Sequence, residues 1–144
     1  MKTRLLFIST VILGITLFSA CSTDTTPMDQ LKDAAVEIDK IEERSADISS
    51  AEEAFIVLRD FNQVMKDVRN AVMAMDAEYK DMSKEEFAEY KESAEFQTKM
   101  DEFKTVNNDI DDSMKTISEN VDPYKEDKQV EDMLKKLEDI LITR

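Results

Sequence analysis

From residue 28 onward the apolar residues recur three and four positions apart, with polar residues filling the gaps. That spacing marks one face of an α-helix and not the period-two alternation of a half-buried strand. In the first segment the seam is Leu31, Ala34, Ile38, Ile41 and Ile48, with Ser45 in register. In the second it runs Ala51, Ala54, Leu58, Phe61, Met65, Val68, Val72, Met75, Tyr79 and Met82, a heptad seam without interruption. Val57, Val64 and Ala71 form a flanking row, which predicts that this helix touches two neighbours. The third seam is Phe96, Met100, Phe103, Asn107, Ile110, Met114, Ile117 and Val121. The last comprises Val130, Met133 or Leu134, Leu137, and Ile140 or Leu141.

Start signals divide the segments. Ser49 with Glu52, Ser50 with Glu53 and Ser83 with Glu86 match the capping box, in which hydroxyl and carboxylate satisfy opposing backbone N–H groups. Asp122-Pro123 reads as an N-cap followed by proline at the first helical position, where the missing N–H is no loss. The fold class is therefore all-α, with four helices at about 28–47, 50–81, 84–120 and 123–142. Short connections make sequential helices antiparallel. The expected shape is an elongated antiparallel bundle with two long central helices, whose turn at about 73–97 projects as a two-helix tip. The junction near Ser83 has no Gly or Pro. It leaves open a continuous rod, and leaves open residues 84–94 folding back as a short separate helix.

Composition narrows the chemistry. The 144 residues carry 33 acids against 19 bases, a balance of −14, with no His, no Trp, one Cys, one Gly and two Pro. Length sets one domain as the expectation. Without His there is no imidazole base and no His-ligated metal. The only Gly is Gly14, so no phosphate-cradling glycine loop follows it. One Cys allows no internal disulfide or thiolate cluster. The negative charge repels phosphate backbones, which argues against nucleic acid as a partner. No cofactor, metal site or catalytic residue is expected.

The N-terminus has a different character. Lys2 and Arg4 are followed by an uncharged apolar run from Leu5 to Ala20, short of the ~20 residues that span a bilayer. A basic start, an apolar middle and small residues before a cut describe a secretory signal. Phe18-Ser19-Ala20-Cys21 resembles the lipobox of bacterial lipoproteins, with Phe18 standing where Leu is usual. The resemblance implies cleavage before Cys21 and a diacylglycerol on its thiol. The new amino group is often acylated as well. It implies anchoring in the cell envelope, at the outer membrane of a Gram-negative host or the outer face of the plasma membrane of a Gram-positive one. The expected organisation is a signal peptide at 1–20, the lipidated Cys and tether at 21–27, and a helical bundle domain at 28–144. Loss of residues 1–20 removes Lys2 and Arg4 and no acid, taking the balance to −16.

Within the bundle the tip is the most informative stretch. Counting back from Phe96 the seam should pass through Ser93 and Glu89, yet the apolar residues are Phe87, Tyr90 and Ala94. The register shifts, as at a stutter. Met82, Phe87 and Tyr90 then lie where only two helices can cover them, and are the candidate contact for a protein partner. The competing expectation is that these side chains close the hairpin against each other. Asn107-Asn108-Asp109-Ile110-Asp111-Asp112 spaces oxygen ligands like a calcium loop but lacks its Gly and its final Glu, so it reads as a solvated helix face. Asn107 on the seam reads as a partner for Asn62 or Asn70, or as a wet layer. Glu85-Glu86, Glu89-Glu92-Glu95 and Glu126-Asp127-Glu131-Asp132 read as solvated faces, with pairs such as Glu95–Lys99 and Glu131–Lys135 supporting the helices. The chain reads as a lipid-anchored binding module. Its rivals are a structural spacer without a ligand and a carboxylate-based envelope hydrolase.

Overall fold

A computed structural model gives the fold and describes residues 25–142. All regular structure among these residues is helical: α1 (Pro27–Ser45), α2 (Ala51–Glu78), α3 (Lys84–Lys91), α4 (Ala94–Val121) and α5 (Lys128–Ile142), with a 3-10 turn at Asp122–Tyr124. Residues 1–24, which hold the expected signal segment, Cys21 and the first half of the expected tether, lie outside the described residues. No described helix is long and apolar enough to cross a membrane.

The all-α class follows the periodicity, while the number of helices does not. The stretch expected as one helix at 84–120 is two, α3 and α4. At the break Ser93 takes an extended backbone and its hydroxyl accepts the N–H of Phe96 at 3.1 Å. A hydroxyl that caps a helix in this way competes with helix continuation. The expected start at Asp122-Pro123 is also displaced. Those residues form the 3-10 turn, and the carboxylate of Asp127 accepts the N–H of Gln129 at 2.9 Å to begin α5. Ser50 caps α2 and Ser83 with Glu86 forms the capping box of α3, as expected, while the Glu53 carboxylate accepts from the N–H and hydroxyl of Ser49 in place of the expected boxes there. A capping box of Thr26 with Asp29, not singled out from the sequence, starts α1.

α1 packs against α2 and α4, and α2 packs against α5. Three cross-links set α1 and α4 parallel: Lys32 with Glu102, Asp39 with the Ser113 hydroxyl at 3.3 Å, and Ser45 with Asn120 at 2.8 Å. α2 runs the other way, with Arg44 near the end of α1 gripping Asp60 through both terminal nitrogens at 3.1 Å. The shared core draws Leu31, Ile38 and Ile41 from α1, Leu58 and Phe61 from α2, Ile117 and Val121 from α4, and Val130 from α5. Each such side chain contributes ~1.5–3 kcal/mol by leaving water.

The first seam is buried from Leu31 to Ser45, and Ile48, just past α1, is partly buried. That serine donates to the carbonyl of Glu42 at 2.7 Å while accepting from Asn120, so no polar atom is stranded. On α2 the flanking Val57 and Ala71 are buried as expected for a helix with two neighbours. Two buried polar residues escape the hydrophobic pattern, Asn62 and Ser113. Asn62 donates to the carbonyl of Met133 at 2.9 Å across the α2–α5 contact. Asn107 pairs with neither Asn62 nor Asn70, and its amide turns along its own helix to Asp111 at 3.2 Å. Phe103, by pattern a core residue, is only partly buried. It faces an opening at the far end of the bundle.

Candidate functional site

That opening is a groove of about 400 Å3, bounded by the first turn of α1, the last turns of α2 and the beginning of α4. Its size falls among small-molecule sites, which hold ~300–1,000 Å3. Pro27, Met28 and Asp29 at the start of α1 line it together with Val72, Met75, Asp76 and Glu78 of α2. No α5 residue lines the groove. Past Met65 the one fully buried residue of α2 is Ala71, and Val68, Val72 and Met75 are left partly covered.

The apolar lining is Met28, Val72, Met75, Tyr79, Met100 and Phe103. Three of these six are methionines, flexible and polarizable side chains that fill irregular space. The mouth carries Asp29, Asp76, Glu78 and Glu102 against Lys32 and Lys99. Both lysines are committed to acids. Lys32 pairs with Glu102, whose hydrogen bond holds the ammonium above its ordinary value. Lys99 pairs with Glu95 at 3.1 Å and reaches the hydroxyl of Tyr90 at 3.4 Å. Glu95 first and Tyr90 second raise its proton affinity. The carboxyl of Asp29 is held below the usual range by the hydroxyl and N–H of Thr26. The mouth is therefore net negative with no cation left unpaired.

Beyond the groove an aromatic cluster closes the end of the bundle. Tyr79, the residue that caps the end of α2, lies 5.7 Å from the rings of both Phe87 and Tyr90, and 6.2 Å from Phe96. Phe96 meets Phe87 at 6.2 Å and Tyr90 at 5.4 Å, both edge to face. Such ring pairs add ~0.5–1.5 kcal/mol each beyond their buried area. Burial pushes the Tyr79 phenol up, with Tyr90 adding to the effect. The ammonium of Lys91 stands 5.2 Å over the ring of Phe87. This cluster is why α3 folds back as a separate helix and the end is not a plain two-helix hairpin.

Phe87 and Tyr90 are thus brought together through Tyr79 and Phe96, and each is partly buried. Met82 sits in the turn before α3, 38% exposed, outside the ring contacts. Cys21 lies outside the described residues. The groove itself was not legible in the sequence, although Met75, Met100 and Phe103 were all assigned to the seam. Residues 107–112 run through the middle of α4 as regular helix, with none of the turn a calcium loop needs. Among the described residues no three His, Cys, Asp or Glu gather as a metal site would require. Comparison with protein-family models, with curated proteins and with solved structures finds no match.

Proposed function

We propose that the chain is a lipid-anchored, acidic helical-bundle protein of the bacterial cell envelope that acts by binding and not by catalysis. The anchor is Cys21, in the outer membrane of a Gram-negative host or on the outer face of the plasma membrane of a Gram-positive one. The observation that carries the reading is the meeting of two features at one end. Thr26, five residues after Cys21, lines the same groove as Tyr79, which belongs to the aromatic cluster. The partly covered apolar surface and the proposed anchor therefore share the membrane-proximal end of the bundle. A partner at Met82, Phe87 and Tyr90 then lies at or near the membrane surface, and the surrounding acids select against acidic partners. Nucleic acid is not among the expected partners.

A spacer role without a ligand is the second reading, and one observation favours it: Phe87 and Tyr90 spend part of their surface on Tyr79 and Phe96. Two measurements test the proposal. Mass spectrometry of protein from native membranes should find a chain beginning at Cys21 with added diacylglycerol, and Cys21→Ala should release it from the membrane. A chain cut elsewhere with a free thiol sinks the anchor. A photo-crosslinker placed at Met82 in intact cells should give one discrete adduct that Phe87→Ser with Tyr90→Ser abolishes. No adduct leaves the spacer reading standing.

A further inference from the structure

We infer that the groove at the start of α1 holds one acyl chain carried by Cys21 of the same molecule. The inference rests on the lipid-anchor reading above and adds what the structure does with the lipid. The first turn of α1 and Tyr79 of the aromatic cluster are both among the walls of the groove. The chain leaving Pro27 toward its N-terminus starts inside it, because Thr26 is one of its walls. From Thr26 back to Cys21 is five peptide steps, a reach of no more than ~18 Å. An acyl chain on so short a tether faces the groove at an effective concentration of order mM, without any diffusion from elsewhere.

The lining selects for such a chain. Met28, Met75 and Met100 offer a deformable apolar surface, and Val72 and Phe103 complete it. The mouth discourages charged lipid. A free fatty acid or an anionic headgroup would bring a carboxylate or phosphate against Asp29, Asp76, Glu78 and Glu102. The two lysines there are already held by Glu102 and Glu95. An acyl chain joined to Cys21 through a glycerol ester or an amide has no charge to place there. One chain in the groove leaves the others for the bilayer. The bundle is then held with the α2–α4 turn toward the membrane and the opposite end, near Ser45 and Val121, away from it.

The test uses the full lipidated protein, made in cells supplied with a diazirine-bearing fatty acid and reconstituted in neutral phosphatidylcholine vesicles. A mass spectrum first establishes that Cys21 is acylated. Irradiation should then place intramolecular adducts on residues 72–79 and 99–103, about tenfold above those on residues 51–62. Met75→Glu with Met100→Glu should move the adducts to vesicle lipid. Because that variant can lose stability, the adduct map of the unaltered protein decides the question by itself. Acylated protein whose adducts lie only on lipid overturns the inference and leaves the anchor intact. A Cys21 without acyl groups overturns both. In a second arm the diazirine sits on the phosphatidylcholine and the protein is unlabelled. Groove adducts there would make a bilayer lipid the occupant and overturn the inference, whereas adducts confined to other surfaces support it.

Discussion

Phe61 and Phe103 occupy equivalent places in their seams, and the structure gives them different environments. Phe61 is 1% exposed at the centre of the core. Phe103 is partly buried and borders the groove. Truncation to Ala removes the same atoms in both cases, but the energy has two parts: transfer of the ring to water and the cavity left behind. At Phe61 both apply, giving a loss of ~3–5 kcal/mol. At Phe103 the space already opens to solvent, so the cavity part vanishes and ~1–2 kcal/mol of transfer remains. For a domain of this size each kcal/mol shifts Tm by a few degrees, so Phe61→Ala should lower it by ~10–25 °C and Phe103→Ala by well under half of that. The chain has no Trp, so the assay is thermal unfolding for Tm and urea unfolding for the free energy, both followed by the helical circular-dichroism signal. Equal losses at the two sites would refute the reasoning, since a closed core at Phe103 leaves no groove.

Asn62 is buried with its amide nitrogen bonded to Met133 and its amide oxygen without a partner. Asn62→Leu should therefore be neutral or stabilising by up to ~1–2 kcal/mol in urea unfolding, and a loss above ~1 kcal/mol would show that the bond to α5 outweighs the stranded oxygen. The capping carboxylates Asp29, Glu53 and Glu86 are held below their ordinary values, chiefly by Thr26, Ser49 and Ser83 respectively. Groups depressed in the folded state stabilise above the unfolded value near ~4 and lose that contribution as pH falls through the folded value. Asp29→Asn with Glu53→Gln and Glu86→Gln should thus lower Tm at neutral pH and match the unaltered protein near pH ~2; a gap that persists there would count against the assignment. With a balance of −14, added salt should raise Tm by screening self-repulsion, and a fall in Tm between ~0.01 and ~0.15 M would mean that pairs such as Arg44–Asp60 matter more than the net charge.

The sequence by itself determined the local structure. Three-and-four spacing and the absence of Gly after Gly14 made the described chain helical, and Ser50 and Ser83 set helix starts through bonds to residues three positions away. Such interactions span one turn, so they are readable from a window of a few residues. The α1 seam from Leu31 to Ser45 was legible for the same reason, and so was the crowding of Phe87 and Tyr90 away from the third seam. Only tertiary structure decided what depends on several helices at once. Ser93 has the same hydroxyl whether it lies in a seam or caps α4, and the cluster of Tyr79, Phe87, Tyr90 and Phe96 favours the break. Asn62 looks like a surface residue until the carbonyl of Met133, far along the chain, comes within 2.9 Å. The groove is the clearest case. Met75, Met100 and Phe103 carry the periodicity of core residues, and nothing in that periodicity records that no α5 residue covers them and that they lie beside an opening. A seam specifies which face of a helix is apolar; the placement of its neighbours specifies how much of that face is covered.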